Sequence, residues 1–329
     1  MVNEPRIWDI PAILGSFVIS NAGIAPVVPY TGRVSPGFSG AAAAVPLLRP
    51  GHTPFVHRGQ HLDGLALTHP RRESDQLDLS WMLVRRGDSA INTPGGRDGA
   101  EAAIVAEMLE AICRHAAEAG MVSLFARIPD EGAHKQVFEQ HGFTCVVREH
   151  TYGRAAVAAE PRAPPPGLRE QEPPDAWGIQ QLYRSLTPAL VQRAENLTSR
   201  SWGLPGRRRF PMLRRSRPDD RFVVDGPDGL RAWCNATPGE DDAPNHIRLM
   251  VKQNDPGLAQ TVLDFTLAWL RRHPRRSVLT TARDHETTLL RTLEENGFRP
   301  VYTRLLVVRH LAARLFNPLP RSVFERAVS

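Results

Sequence analysis

Apolar residues recur at helical spacing along Gly99–Gly120 (GAEAAIVAEMLEAICRHAAEAG) and again along Gly257–His273 (GLAQTVLDFTLAWLRRH), and each run predicts a long amphipathic helix. A strand-like stretch precedes each one: LDLSWMLVRR from Leu77 and NHIRLMVKQ from Asn245. A short apolar strand follows each one, SLFARI from Ser123 and SVLTTA from Ser277. Next comes a polar, helix-periodic run that stops at Gly-Phe: KQVFEQHGF (Lys135–Phe143) in the first case and RTLEENGF (Arg291–Phe298) in the second. A last pair of strands is then expected from TCVVREHTYG and from RPVYTRLLVVRHL. Hairpins are predicted around Gly59 and Gly226, and Asp9 and Asp175 are expected to cap early helices. A strand, a long helix and a second strand imply a parallel pair joined by a right-handed crossover, whereas hairpins imply antiparallel pairs. The predicted sheet is therefore mixed, with helices on its faces.

The pattern occurs twice, in the same order. Gly142 and Gly297 lie 155 residues apart. Ala126-Arg127 matches Ala282-Arg283, Phe55 matches Phe222, and Asp9 matches Asp175, at offsets of 156, 167 and 166. A slow drift through ordered anchors is what a duplication with a few deletions leaves. Between the copies, Ala155–Pro174 is rich in Ala and Pro without apolar period, which predicts a linker. The chain divides into residues 1–154, a linker at 155–167, a second unit at 168–311 and a tail at 312–329. Leu315, Phe316, Val323 and Phe324 give that tail enough apolar surface to pack.

Charge refines this picture. Lys135 and Lys252 are the only lysines, so the formal net charge of +6 is almost entirely arginine. Basic residues number 14 against 16 acidic through Arg154, and 27 against 19 beyond it. An arginine-biased composition accounts for this more simply than a nucleic-acid surface does. Cys113, Cys145 and Cys234 form no CxxC pair and no disulfide framework, which predicts a reducing, cytoplasmic setting. The apolar stretch Ile10–Val28 is broken by Pro11, Asn21 and Pro26 and follows Glu4 and Asp9. It fits neither a signal peptide nor a membrane span.

The element order and the paired endings EQHGF and EENGF resemble the GNAT superfamily of N-acetyltransferases, here as two tandem domains, each a mixed twisted α/β sheet flanked by helices. The resemblance implies transfer of an acyl group from acetyl-CoA, or another acyl-CoA, to a small-molecule or peptide amine. In that family the turn before the long helix holds the CoA pyrophosphate on backbone N–H groups at a helix N-terminus. The matching turn of the second copy, VKQNDPGLAQ, makes Val251, Asn254, Gly257, Leu258, Ala259 and Gln260 the expected co-substrate residues. In the first copy the turn reads Gly96-x-x-Gly99-x-Glu101 with Asp98 beside it, and carboxylates repel a pyrophosphate. That copy is expected to be degenerate. Both turns are equally what a plain helix start looks like.

Two departures follow from the same resemblance. Many members carry a tyrosine four residues before the Gly-Phe glycine, whose hydroxyl reprotonates the CoA thiolate. Those positions are Phe138 and Leu293. A CoA-contacting asparagine is replaced by Glu131 and Glu286. The expectation is a slow acyltransferase, with Leu293→Tyr raising turnover, or a fold kept to bind an acyl-CoA, a protein or an acidic partner. No catalytic acid or base is assigned; Glu240 and Glu286 are suitable in kind. His52, His57, His61 and His69 cluster near the first hairpin without metal-ligand spacing. The six arginines of Arg207–Arg217 fit a solvated loop or an anion site. Oligomeric state is not legible.

Overall fold

The computed structural model describes residues 2–3, 24–28, 52–58, 62–71, 75–85, 96–156, 163–204, 220–239, 243–253 and 255–311. Asp9, Gly59, Asn254, Glu240, Arg207–Arg217 and the tail from residue 312 lie outside them.

In the first repeat the described elements are β1 (Val2–Asn3), β2 (Ile24–Val28), β3 (Thr53–Arg58), β4 (Leu62–Pro70), β5 (Gln76–Arg85), α1 (Gly96–Glu118), β6 (Ser123–Pro129), α2 (Ala133–Gln140) and β7 (Thr144–Arg154). The second repeat has β8 (Leu168–Glu170), α3 (Asp175–Leu186), α4 (Ala189–Glu195), a 3-10 turn (Ser199–Trp202), β9 (Asp220–Gly226), β10 (Gly229–Thr237), β11 (Asn245–Val251), α5 (Pro256–Leu270), β12 (Val278–Arg283), α6 (Thr287–Glu295) and β13 (Arg299–His310). The element order is repeated as the sequence predicts. β5 pairs with β6, and β11 with β12, in parallel across α1 and α5. β9 and β10 form the expected hairpin at Gly226–Gly229. Asp175 does not cap α3. It is the first helical residue, and its carboxylate accepts from the Glu172 N–H and two Arg169 nitrogens.

Each Gly-Phe ending is a helix stop. Gly142 and Gly297 adopt φ of 77° and 76°, a left-handed conformation that glycine takes without Cβ strain. Phe143 N–H donates to Phe138 O, and Phe298 N–H to Leu293 O, both at 3.0 Å. These six-to-one bonds close a Schellman motif, whose usual apolar contact joins the same two residues. Phe138 and Phe143 meet edge to face at 5.0 Å, and Leu293 and Phe298 share one core.

The closing stretches form one long strand apiece rather than a pair, and those strands change places. The strand order is β1-β3-β4-β5-β6-β13-β7-β12-β11-β10-β9-β8. β13 lies antiparallel between β6 and β7, and β7 lies antiparallel between β13 and β12. Each repeat therefore completes its sheet with the last strand of the other. The cores follow suit. Leu305 and Val307 of β13 join α1 and α2 in the first core, and Tyr152 of β7 joins α5 and α6 in the second. On the opposite face, Val191 and Ala194 of α4 cover Phe125, Val147, Leu306 and Val308 at the junction.

A buried ionic ladder runs across that junction. Arg127 Nε donates to Glu149 Oε2 at 2.8 Å, and Arg283 Nη2 reaches Glu149 Oε1 at 3.2 Å. Arg283 also grips Glu195 with two bonds of 2.7 and 2.9 Å, and Tyr183 donates to Glu195 at 2.6 Å. Burial pushes both carboxyls up. The Arg127 and Arg283 charges outweigh it at Glu149, and Arg283 with Tyr183 outweighs it at Glu195, so each is held down to about 2.

Two tests follow from the exchange and the ladder. A chain cleaved at a protease site placed between Ala156 and Ala163 should elute as one species under native conditions and separate only in denaturant; two species under native conditions would contradict the exchange. The depressed carboxylates contribute stability that is full above about 4.5, the value of the unfolded chain, and is lost as pH falls through about 2. Urea midpoints should therefore fall over that window. Arg283→Met should cost about 3–5 kcal/mol at neutral pH, because it leaves the buried Glu195 without a cation and Glu149 with Arg127 alone. Glu195→Gln should be less stable at neutral pH and lose less than wild type on acidification.

Candidate active site

The parallel pairs of the two repeats both open partway along. In the first, Gln76–Leu79 pair with Ser123–Ala126, and beyond Leu79 the two strands part. The opening is filled from within. β2 pairs antiparallel with Met82–Arg85 of β5, on the edge that β6 has left. In the second repeat only Asn245–Ile247 pair with Val278–Thr280. From Leu249 to Val251 no strand pairs with β11 on the β12 side among the described residues.

The unpaired edge of β11 has a definite chemistry. Asn245 N–H donates toward β12, to Ser277 O, and Lys252 N–H donates toward β10, to Arg231 O. Alternation along a strand then turns the N–H groups of Leu249 and Val251 into the opening. Backbone donors in a buried position need a partner, and a carbonyl oxygen entering the opening supplies one. Gln253 Nε2 donates to His285 O at 3.1 Å and bridges the mouth.

One face of the opening is the apolar core beneath α5. The other is polar. Arg248 of β11 projects there over Trp202 and Trp233, its guanidinium carbon 5.5 and 5.9 Å from their ring centres. Its side chain is open to solvent, yet desolvation, followed by the Arg283 charge, lowers its pKa. Glu286, which precedes α6, is half-buried and accepts from Arg283 N–H at 2.7 Å. Burial raises its pKa against that bond and against the Arg283 and Arg248 charges. Burial likewise lowers the pKa of His285, and Arg283 adds to the effect.

The expected pyrophosphate turn is brought only partly together. Val251, Leu258 and Ala259 are buried in the second core, and Gly257 is exposed at the start of α5. Gln260 pairs its amide with that of Asn296, in bonds of 2.9 and 2.6 Å, and ties α5 to α6. Asp255 caps the helix through Leu258 N–H at 3.0 Å and is gripped by Arg231 at 2.5 Å. Ala259 N–H is taken by Asp255 O, and Pro256 has no N–H. Among the described residues of the first turn of α5, Gly257 N–H is the donor with no partner within the turn, and an arriving pyrophosphate meets the Asp255 carboxylate beside it.

Phe138 and Leu293 are both fully buried. A tyrosine in place of Leu293 would overfill a close-packed core at a cost of about 1–3 kcal/mol, so the expected gain in turnover from Leu293→Tyr has no room to develop. Of the histidines, His52 and His69 stack at 5.1 Å, and His57 lies 3.2 Å from Glu107. Among the described residues no group of three His, Cys, Asp or Glu side chains could hold a metal ion, and no helix is long and apolar enough to cross a membrane. The three cysteines are free, with Cys145 exposed.

Sequence reasoning missed Arg248 and the ladder. The available signal was a charge inside each otherwise apolar strand: Arg127 in SLFARI, Arg283 after SVLTTA, and Arg248 in NHIRLMV.

No family model and no curated protein matches the sequence, whereas solved structures match over nearly the whole chain. A tandem GNAT protein from the clavulanic acid biosynthesis pathway, without AcCoA, is 13% identical, with 95% of this chain and 99% of that one covered and a TM-score of 0.58. A GCN5-related N-acetyltransferase from Sphaerobacter thermophilus is 16% identical, with 94% and 95% covered and a TM-score of 0.54. Saccharomyces cerevisiae N-myristoyltransferase, with bound myristoyl-CoA and inhibitors, is 10% identical, with 94% and 80% covered and a TM-score of 0.50. At such identities the likeness is one of fold, and what it establishes, together with the repeated element order, is that this chain carries the tandem two-domain GNAT fold.

Proposed function

We propose that this protein is an acyl-CoA-dependent N-acyltransferase that takes its acyl donor in the second repeat and passes the acyl group to an amine. The observation that carries the reading is the difference between the two openings. The β11 edge presents the N–H groups of Leu249 and Val251 with no strand across from them among the described residues, whereas the matching edge of β5 is paired with β2. The names of the fold neighbours, two acetyltransferase-type proteins and an enzyme holding myristoyl-CoA, support an acyl-CoA donor.

The residues present fit one end of that donor better than the other. A thioester carbonyl entering the opening would accept from the β11 edge, which polarises the carbon toward attack. The amine nitrogen then bonds that carbon, the C–S bond breaks, and CoA leaves as its thiolate. A free thiol has a pKa of about 8.5, so water can return the proton. With apolar Leu293 where the family carries tyrosine, the rate loses about 10²–10⁴-fold relative to a site with a placed general acid. At the diphosphate end, Gly257 N–H and Arg231 attract and Asp255 repels. The same buried Leu293 favours one second reading, a binding protein that holds an acyl-CoA without turning it over.

Titration calorimetry with CoA and acetyl-CoA tests the assignment. We expect one molecule per chain. Gly257→Glu should abolish binding; a Cβ there meets nothing nearer than Asp255 Oδ1 at 3.9 Å, so the fold is spared. Gly99→Glu has open space around it and should leave binding unchanged. Asp255→Ser keeps a helix cap, removes the competing charge and should tighten binding about two- to fivefold. Two CoA per chain, or binding that survives Gly257→Glu, would overturn the placement. Binding without release of CoA thiol in the presence of amines would favour the second reading.

A further inference from the structure

Arg248 and Glu286 are opposite charges beside the opening of β11 that form no ion pair with each other. Among the described residues Arg248 has no hydrogen bond and no ion pair; its contacts are the faces of Trp202 and Trp233. The carboxylates nearest the sheet junction are spoken for, because Glu149 and Glu195 are bound by Arg283. Glu286 has one oxygen on Arg283 N–H, and among the described residues its other oxygen has no hydrogen bond. The two groups sense each other's charge without forming an ion pair.

An exposed guanidinium that lies over two indoles and meets no anion among the described residues keeps its planar donor fork available. That fork matches a carboxylate bidentately. Glu286, with its free oxygen, suits an ammonium. Both groups flank the splayed end of β11, where the N–H groups of Leu249 and Val251 face the opening.

We infer that the acceptor is an amine that also carries a carboxylate, held at two points, with its carboxylate on Arg248 and its ammonium on Glu286. The inference rests on the acyl-transfer reading and deepens it. In the reaction the ammonium gives one proton to the Glu286 carboxylate, and the freed nitrogen attacks the thioester carbon. CoA leaves as the thiolate, and the proton still on the new amide nitrogen cation goes to water. The recognition itself is independent of the acyl donor.

The test therefore begins without CoA. Trp202 and Trp233 lie under Arg248, so indole fluorescence reports on its occupancy. Glycine, β-alanine, γ-aminobutyrate and lysine are titrated against alkylamines of matched length. At least one amino acid should bind saturably and at least about tenfold more tightly than its matched amine. Arg248→Gln should weaken that amino acid by about 10- to 100-fold, the loss of a charge-assisted bond, and leave the amine unchanged. Arg248→Lys, which keeps charge and loses the fork, should fall between. Glu286→Gln should weaken amino acid and amine alike. Acetyl-CoA consumption should rank the same compounds in the same order. Equal binding of matched amines, no saturable binding by any of the amino acids, or equal effects of Arg248→Gln on both classes would overturn the inference. Loss of the acetyl-CoA signal alone, with the fluorescence result intact, would count against the acyltransferase reading and not against the two-point site.

Discussion

Glu149 is bound by an arginine from each repeat, and the architecture turns on that contact. It belongs to β7, the strand that the first repeat lends to the second, and it faces Arg127 at home and Arg283 across the exchange. A carboxylate taken out of water costs several kcal/mol, and one arginine rarely compensates in full. Two arginines hold Glu149 ionised far below its usual range. The same Arg283 binds Glu195, so α4 is pinned over the seam. Such a pattern is weak support for stability in the net, because a well-packed apolar junction could equal it. Its value is registration: a slip of β7 by one residue would turn Glu149 into the opposite core.

The exchange makes the repeats dependent on each other, yet their two openings differ. Parallel strands that diverge leave backbone donors facing a gap, and a protein either fills such a gap or uses it. The first repeat fills its gap with β2. Among the described residues, the second leaves the edge from Leu249 to Val251 unpaired, with Arg248, Glu286 and two tryptophans nearby. One repeat thus closes its own opening and supplies β7, while the other leaves its β11 edge without a strand across from it among the described residues.

Much of the fold was legible because its signals are local. Apolar spacing marks α1 and α5, and Gly-Phe marks the two Schellman stops because a left-handed residue there selects glycine. The ordered anchors revealed the duplication. The exchange was not legible: β7 and β13 carry similar alternating patterns, and a strand's own sequence does not name its neighbour. The site was legible in outline only. Gly257 does lie in the first turn of α5, but Asp255 sits where the anion was expected, since aspartate at that position is also among the best helix caps. Arg248 read as one arginine among many in an arginine-rich chain. Its meaning depends on Trp202 and Trp233, which come from distant segments.

Backbone hydrogen exchange with and without acetyl-CoA bears most directly on the central claim that the second opening is the working one. Amides of Leu249–Val251 and of the first turn of α5 should gain protection on addition of acetyl-CoA, while those of Met82–Arg85 should not change. Protection at Met82–Arg85, or none at Leu249–Val251 under conditions where acetyl-CoA is bound, would contradict it.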